Sequence, residues 1–464
     1  MAEALSPADR ASLAAEQGPV HMSVGGLLVF GAGPGLSYDA VVERVRARLH
    51  LLPRYRQRLR SAAPGLANPE WADDADFDLG RHVRVVTVPP PGDGERLGEL
   101  VGHELARRLE RDRPLWELTI IEGLAGRAAL LAKMHHALVD GVAAVDIGTV
   151  LLDPSPQPLD LPEAEPWEPK AFDRNEHLLR LSRGPLERAR RLPWDRTLRA
   201  LADPRRAPEE LRRATEDLLR ATDVMVELAR TRPQAPPTPL NEGIGPNRRY
   251  ATRRVDLAAL KAVAKPRGAT VNDAVLAIVA GMLRRYLLAA GEPLEPSPVA
   301  LVPVSVRQPG DGAGNRISTV LVELPVGEAD PGACLDAVRG RTRALKDSAA
   351  VRAGALLVGA TGWAPPLMSS ALARAMGGVR AFNLVVSNVP GPQQPFYLNR
   401  ERLLEVYPAV PLNPASQGLS VGVLSYDGGV HAGLLADRDL RPPLPAAAQA
   451  FADAAAELLA PAPD

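Results

Sequence analysis

Runs of apolar positions predict a mixture of strands and helices in the N-terminal part of the chain. Leu27–Phe30 is a short apolar run that predicts a buried strand, and helical spacing of apolar residues predicts a helix over Tyr38–Leu51. The remaining elements predicted in this part are strands at Arg84–Val88, Leu118–Glu122 and Ala128–Met134 and helices at Glu95–Arg111 and Val142–Leu152.

The C-terminal half shows the same mixture of patterns. Two apolar runs, Leu419–Tyr426 and Val430–Leu435, flank the turn residues Asp427–Gly429 and predict a β-hairpin. The other elements predicted here are helices at Val271–Ala289 and Pro331–Ala350 and strands at Val299–Val306, Ile317–Pro325 and Phe382–Ser387. Strands and helices are mixed in both halves, so the predicted fold class is α/β or α+β.

Two proline-rich stretches divide the chain, Asp153–Phe172 and Arg232–Arg248. Proline is excluded from helix interiors and central strands, so both stretches are predicted to be extended linkers. Apolar residues recur at helical spacing among many arginines between them. We therefore predict an N-terminal lobe over 1–172, a helical, arginine-rich connector over 173–240 and a C-terminal lobe over 241–464.

Composition narrows the class of protein. Among 464 residues, 55 basic side chains balance 55 acidic ones, which argues against a dedicated nucleic-acid binder. A single cysteine, Cys334, excludes an intramolecular disulfide and a cysteine-based metal cluster, and it fits a cytoplasmic location. The sequence starts without the apolar segment of a secretory signal, and no apolar run reaches the about 18 residues of a transmembrane helix.

The heptapeptide His135–Gly141 carries the clearest chemical signal. It reads His-His-Ala-Leu-Val-Asp-Gly and lies between the predicted strand Ala128–Met134 and the predicted helix Val142–Leu152. Such a match is expected by chance less than about once in a thousand chains of this composition. The position places an imidazole at the mouth of a strand, where a base can face a cleft, while Asp140 can cap the helix and fix the loop.

A histidine in that position could activate an alcohol. Neutral imidazole accepts a proton near neutral pH, and a positioned base contributes about 10²–10⁴-fold to the rate. When the alcohol attacks a thioester, the leaving thiolate needs little acid assistance, so one base and a dipole for the oxyanion could suffice without a covalent intermediate. The alternative is a pair of loop histidines, His135 and His136, that only form hydrogen bonds.

The heptapeptide resembles the active-site motif of the coenzyme A-dependent acyltransferase superfamily, which includes chloramphenicol acetyltransferase and the condensation domains of peptide synthetases. Further stretches make the chain similar to the bacterial wax ester synthase/acyl-CoA:diacylglycerol acyltransferase family. In chain order they are Leu5–Asp9 with Glu16 and His21–Met22, Pro53–Leu59, Asp76–Asp78 with His82, Arg113–Glu117, Val271–Ala277, Pro303–Arg307, Gly314–Arg316, Ser387–Pro392, Tyr407–Pro408 and Ser425–Tyr426.

The resemblance implies both a fold and an activity. The fold would consist of two chloramphenicol-acetyltransferase-like lobes with an active-site tunnel between them. The activity would be transfer of a fatty acyl group from acyl-CoA to diacylglycerol, giving triacylglycerol, or to a long-chain alcohol, giving wax ester. Acyl-CoA would be a co-substrate, and we expect no cofactor, metal or nucleic-acid partner.

The resemblance also implies roles for individual residues. His136 would be the general base, His135 would support it, and Asp140 would hold the loop. The residues implied to bind substrate or shape the site are Gly141, Pro114, Leu115, Trp116, Asn272, Asp273, Ser387 and Asn388. Simpler roles remain open, since Asn272–Asp273 can cap a helix and Trp116 can belong to the core.

The chain departs from the family pattern at three places, and the two in the C-terminal half concern substrate preference more than chemistry. The family commonly has Gly-Ala where this chain has Asn399-Arg400, and Asn where it has Ser420. An early phenylalanine that often follows the first Ser-Pro motif is absent from Ala11–Leu13.

The connector carries a basic amphipathic pattern. Leu178–Arg206 holds nine arginines against three acidic residues, with interleaved leucines and Trp194. Such a segment can lie at a membrane interface, which would suit a lipid substrate, or it can pack its leucines on the protein. The first alternative predicts peripheral attachment to the inner membrane, or to the surface of a lipid droplet or other lipid inclusion.

Other functions are compatible with parts of the sequence. Gly418–Gly422 matches the Gly-x-Ser-x-Gly pattern of serine hydrolases, but it lies in a predicted strand rather than at a strand–helix turn. A relative that uses a carrier-bound thioester and another hydroxyl acceptor is the second enzymatic alternative. An inactive lipid-granule binding protein is the non-enzymatic one, although it does not explain the intact His135–Gly141.

Overall fold

A computed structural model describes most of the chain. The described residues are 3–16, 18–61, 69–138, 148, 151–159, 166–173, 235–305, 317–346, 381–412 and 417–460. Two predictions lie largely outside these ranges, the connector and the helix over Val142–Leu152. None of the described helices is long and apolar enough to span a bilayer.

The N-terminal lobe is built on a mixed sheet with the order β12-β13-β2-β7-β6-β5. Its strands in chain order are β2 (Ser23–Gly31), β5 (Val83–Thr87), β6 (Trp116–Leu124), β7 (Arg127–His135), β12 (Tyr397–Leu398) and β13 (Glu401–Ala409). A small sheet with the order β1-β4-β3 lies in the same lobe and consists of β1 (Glu3–Ala4), β3 (Gln57–Arg60) and β4 (Glu70–Asp73).

The C-terminal lobe is built on a second mixed sheet with the order β10-β9-β11-β14-β15-β8. Its strands in chain order are β8 (Arg248–Asp256), β9 (Val299–Ser305), β10 (Ile317–Glu323), β11 (Leu384–Pro390), β14 (Leu419–Tyr426) and β15 (Gly429–Asp437). The β14–β15 hairpin turns at Asp427 and Gly428, both of which have positive φ, as a two-residue turn of this kind requires.

The α-helices within the described ranges pack on these sheets. They are α1 (Pro7–Ala15), α2 (Tyr38–Arg48), α3 (Gly94–Ala106), α4 (Leu257–Ala264), α5 (Val271–Ala290), α6 (Pro331–Lys346) and α7 (Leu444–Leu459). Helix α5 begins at a capping box formed by Thr270 and Asp273 and ends at Gly291, whose φ of 74° only glycine adopts easily. Its buried face forms the centre of the C-terminal core together with α7 and the sheet.

One strand crosses between the lobes. Strand β13 comes from the C-terminal half of the sequence, yet it pairs antiparallel with β2 of the N-terminal sheet, with Tyr407 opposite Leu27. The predicted division at residues 172 and 240 stays a prediction, but the sheet of the first lobe includes residues of the second sequence block.

Helix α3 of the first lobe lies directly on strand β8, the edge strand of the second sheet. A Cβ atom at Gly102 would lie 2.6 Å from the Arg248 carbonyl oxygen, and one at Gly98 would collide with the Tyr250 carbonyl oxygen. Glycine at both positions allows helix and strand backbones to touch. This contact covers an otherwise open sheet edge and joins the lobes.

The predicted fold class is confirmed, and the elements predicted in the described ranges are found within a few residues of their expected bounds. The main difference is α3, which ends at Ala106 rather than Arg111. Its last turn meets the Lys133 ammonium, which donates to the carbonyl oxygens of Glu104 (3.0 Å) and Arg107 (2.6 Å) and so satisfies the helix end. Burial lowers the pKa of Lys133 to about 8.

Candidate active site

Strand β7 ends at the histidine pair. His135 is its last residue, and its main-chain N–H donates to the Leu115 carbonyl oxygen over 2.9 Å. His136 opens a short 3-10 turn that ends at Leu138. The pair therefore divides into a buried residue, His135 at 1% exposure, and an exposed one, His136.

Helix α1 packs its polar face against this pair. A capping box that includes the Asp9 carboxylate fixes where the helix begins. Ser12 and Glu16 follow Asp9 at a spacing that places all three on one helical face. Ser12 Oγ lies 3.4 Å from His136 Nδ1. Glu16 Oε1 lies 3.3 Å from His135 Nε2, so one helix contacts both rings.

The surroundings of His135 define its tautomer. The main-chain N–H of Ala137 donates to His135 Nδ1 over 2.9 Å, so Nδ1 carries a lone pair. The ring proton therefore lies on Nε2, which faces the Glu16 carboxylate. Nε2 forms no hydrogen bond within the described part of the chain, so its contact with Glu16 Oε1 at 3.3 Å is electrostatic.

Glu16 is a buried, charged residue that contacts several groups beneath the histidines. Its side chain is 3% exposed, and Oε2 accepts from Arg108 (3.0 Å) and Arg111 (2.7 Å), while Oε1 accepts from the Met22 N–H (3.0 Å). Burial raises the pKa of Glu16, but the facing His135 ring and the hydrogen bonds from the two arginines outweigh it and hold the pKa well below its usual value. Glu16 is therefore ionised at neutral pH.

His136 is held by its main chain and by its ring. Its N–H donates to the Met22 carbonyl oxygen over 2.7 Å, which fixes the turn against the segment that also binds Glu16. Although the side chain is exposed, surrounding protein displaces part of its hydration, and this burial lowers the pKa of His136. A hydrogen bond to its own carbonyl oxygen opposes that shift. The ring is thus neutral at physiological pH.

The Pro114–Trp116 tripeptide lies in the core beside the histidine strand. Leu115 accepts the His135 N–H, and Leu115 and Trp116 are almost completely buried. The Trp116 ring stacks on His82 with 4.4 Å between centroids. The main-chain N–H of Trp116 donates to the Pro114 carbonyl oxygen. These contacts hold the end of β7 in place. A role of Pro114–Trp116 in substrate binding stays a prediction.

The sequence-predicted residues of the second lobe form a separate group. Asn388 Nδ2 donates to Asn272 Oδ1 over 3.2 Å, so the start of α5 and the end of β11 meet. Asp273 is a capping residue that also accepts from Thr342 Oγ1 (2.7 Å), and Ser387 pairs with β14. No hydrogen bond or ion pair within the described ranges joins this group to the histidines.

Asp140 and Gly141 lie outside the described residues, but the chain is anchored shortly after them. Asp153 is buried, forms an ion pair with Arg44 of α2 (2.7 Å) and accepts a hydrogen bond from Arg48 of the same helix (2.5 Å). Its main chain exchanges hydrogen bonds with Tyr397 of β12. This triad fixes the segment that follows the heptapeptide to both sequence halves.

Comparisons with known proteins agree with this architecture. The family model described as the wax ester synthase/diacylglycerol acyltransferase catalytic domain matches residues 5–275, and the C-terminal domain model of the same family matches 313–459. The chain belongs to this family. The two wax ester synthase/diacylglycerol acyltransferase models together match both lobes, and the first of them includes the histidine pair.

Individual members are similar over almost the whole chain. A Mycobacterium bovis protein, provisionally named a diacylglycerol O-acyltransferase, is 32% identical over 98% of this chain and 96% of its own length. The wax ester synthase/diacylglycerol acyltransferase from Marinobacter aquaeolei VT8 superposes with a TM-score of 0.67 at 29% identity and covers 98% of each chain. The starter condensation domain of rhizomide synthetase, at 14% identity and a TM-score of 0.54 over 99% of this chain and 95% of its own, shares the fold alone.

Two departures from the family pattern have a structural explanation. Asn399 and Arg400 form the β12–β13 turn with φ of 49° and 77°, a conformation that glycine and asparagine adopt readily. The Asn399 side chain accepts from Arg44 Nε over 2.9 Å and so supports the Asp153 triad. Ser420 of β14 donates to the carbonyl oxygen of Val410, the residue that follows β13 (2.6 Å).

The sequence alone did not identify the roles of Ser12 and Glu16. In the sequence, Glu16 belongs only to a family-like stretch, and Ser12 only to a segment that departs from the family pattern. Their spacing from Asp9 was the available signal, because it indicates one polar face on a short helix. The arginines that bind Glu16 come from beyond the end of α3, and only the fold brings them together.

Proposed function

We propose that this chain transfers a fatty acyl group from acyl-CoA to diacylglycerol and produces triacylglycerol, and that long-chain alcohols serve as further acceptors and yield wax esters. The family membership supports acyl transfer. The single observation that carries the proposal is the exposed, neutral ring of His136 beside its buried partner His135.

In the proposed reaction His136 is the general base. Its Nε2 removes the proton from the acceptor hydroxyl as the oxygen attacks the thioester carbonyl carbon. The tetrahedral intermediate then collapses, the carbon–sulfur bond breaks, and the coenzyme A thiolate takes the proton from the imidazolium. The ester and free coenzyme A leave, and no acyl-enzyme forms.

Neighbouring residues support the base in this proposal. His135, held by Glu16 and Ala137, fixes the main chain from which His136 projects. Asp140 would hold the following loop. Gly141, Pro114–Trp116, Asn272–Asp273 and Ser387–Asn388 would shape the substrate site from the two lobes.

The decisive experiment incubates purified protein with radiolabelled palmitoyl-CoA and either dioleoylglycerol or hexadecanol. We expect labelled triacylglycerol and wax ester from the wild type and at least about 10²-fold less from His136→Ala. His103→Ala removes an exposed histidine on α3 and serves as the matched control. Full turnover by His136→Ala would exclude this residue as the base.

The alternative donors and functions are separated by the same assay. Replacing palmitoyl-CoA by a palmitoyl-loaded carrier protein tests the carrier-dependent alternative, which requires faster transfer from the carrier. No ester product from any donor, together with binding of lipid, would favour the inactive lipid-granule protein.

We further propose that the enzyme works at the surface of the inner membrane or of lipid inclusions, because its acceptor is a lipid. The basic stretch Leu178–Arg206 supports this proposal through its composition. Neutralising Arg183, Arg188, Arg190 and Arg191 together should reduce co-sedimentation with phosphatidylglycerol vesicles. Unchanged co-sedimentation would remove the connector from this role.

A further inference from the structure

The side chain of Ser12 is the polar group of α1 that contacts the His136 ring. Ser12 is 9% exposed, and its Oγ lies 3.4 Å from His136 Nδ1. The ring also bonds to its own carbonyl oxygen, and the charged or titratable groups that act on it are Asp9 on α1 and the adjacent His135.

The own-carbonyl contact selects one tautomer of His136. A carbonyl oxygen can only accept, so the ring nitrogen that faces it must carry the proton. Nδ1 is that nitrogen, because Nε2 lies on the far side of the ring from its own main chain. A hydroxyl can donate or accept, so Ser12 Oγ acts there as a second acceptor of the same N–H. Nε2 is left with its lone pair.

Proton transfer to His136 strengthens the hydrogen bond between its Nδ1–H and Ser12. When Nε2 takes a proton, the ring becomes a cation, and hydrogen bonds from its Nδ1–H become charge-assisted. Ser12 and the carbonyl oxygen then both stabilise the imidazolium of His136. The hydroxyl therefore favours the form of the ring that exists in the transition state.

We infer that Ser12 is a positioning residue that holds His136 with its proton on Nδ1 and leaves Nε2 free to accept the proton of the acceptor alcohol. The inference rests on the proposed function of His136 as the base. Ser12 itself touches no substrate and acts only through the ring.

Kinetic comparison of three substitutions tests the role. Ser12→Ala removes the acceptor and, because alanine favours helices, should not unfold α1. Ser12→Thr keeps a hydroxyl, and Ser12→Val has the same shape as threonine without it. We expect Ala and Val to lower kcat about threefold to tenfold, with KM unchanged, and Thr to keep most of the activity.

The pH profile gives a readout that packing alone would not move. Losing an acceptor for the protonated ring lowers the pKa of His136, so the acid limb of kcat/KM should shift to lower pH by about half a unit in Ser12→Ala and Ser12→Val. A profile that is identical for Thr, Val and the wild type would overturn the inference.

A spectroscopic test is independent of catalysis. In the full chain labelled with ¹⁵N-histidine, two-bond ¹⁵N–¹H correlations report which ring nitrogen carries the proton, and His136→Gln assigns the signals among the eight histidines. We expect Nδ1–H for His136 and a larger Nε2–H fraction in Ser12→Ala. Nε2–H in the wild type would refute the inference even if acyl transfer is measured. Nδ1–H without any acyl transfer would instead refute the proposed function.

Discussion

Glu16 Oε1 and His135 Nε2 lie 3.3 Å apart in the protein interior, and they connect helix α1 to the end of strand β7. The buried carboxylate is ionised because Arg108, Arg111 and the Met22 N–H surround it. His135 accepts from the Ala137 N–H at its other ring nitrogen. The geometry of the histidine pair is therefore set by a charge that lies beneath it.

Replacing Glu16 by glutamine should weaken both stability and activity. The two arginines lose their carboxylate, so we expect the free energy of unfolding to fall by about 1–3 kcal/mol and kcat by about tenfold. Thermal unfolding and the acyltransfer assay measure these effects. Glu99→Gln, at an exposed ion pair with Arg96, is the matched control and should change stability by less than about 0.5 kcal/mol.

The same substitution should have a pH-dependent effect. The pKa of Glu16 is lowered in the folded state, so its contribution is complete above the unfolded pKa of about 4.3 and is lost as the pH falls toward the folded value. The difference in Tm between wild type and Glu16→Gln should be largest at pH 6–7 and shrink below about pH 4. A constant difference across this range would contradict the assignment.

The activity of the enzyme should persist into mildly acidic solution. Burial lowers the pKa of His136 below its usual value of about 6.5, so the ring stays in its basic form to lower pH. The acid limb of kcat/KM should therefore have its midpoint below about pH 6.5. A midpoint above 7 would mean that another group limits the reaction.

Asp153 should be essential for the stability of the N-terminal lobe. Asp153→Ala leaves Arg44 and Arg48 buried without their carboxylate and should cost about 3–5 kcal/mol in chemical denaturation. Glu43→Gln breaks an exposed ion pair with Arg46 on the same helix and should cost almost nothing. Equal effects of the two substitutions would show that the triad is not a structural anchor.

The glycines of α3 should respond differently to the same substitution. Gly98→Ala and Gly102→Ala place a methyl group against the backbone of β8 and should each destabilise the protein by about 1–3 kcal/mol. Gly94→Ala meets nothing within 4 Å and should be neutral or slightly stabilising, since alanine favours the helix. Melting temperatures of the three variants compare these outcomes directly.

Much of the fold could be predicted because its elements are long and regular in pattern. Apolar periodicity predicted the helix at Val271–Ala290, and turn residues predicted the hairpin at Asp427–Gly428, both close to their observed bounds. Strand β8 was not predicted, because four of its nine residues are arginines and one edge of it faces α3 rather than another strand. Strand β13 was not predicted to join the first sheet, since pairing between distant segments has no local signal.

The candidate site could be predicted only where its reactive residues lie next to each other in the sequence. The heptapeptide identified His135 and His136, but the contacts of Ser12 and Glu16 depend on how α1 packs, which no local pattern specifies. Trp116 shows what the sequence alone leaves open. The structure places its ring in the core, stacked on His82, and the substrate role that its motif implies stays a prediction.

The crossing of β13 has a consequence for how the chain is made. Strand β2 exposes an unpaired edge until residues 401–409 have left the ribosome, because within the described part of the chain these residues pair with that edge. The sheet that carries the histidine pair is therefore completed only late in translation. A truncated product that stops before Glu401 would lack a finished first lobe, although it contains every residue of the histidine motif.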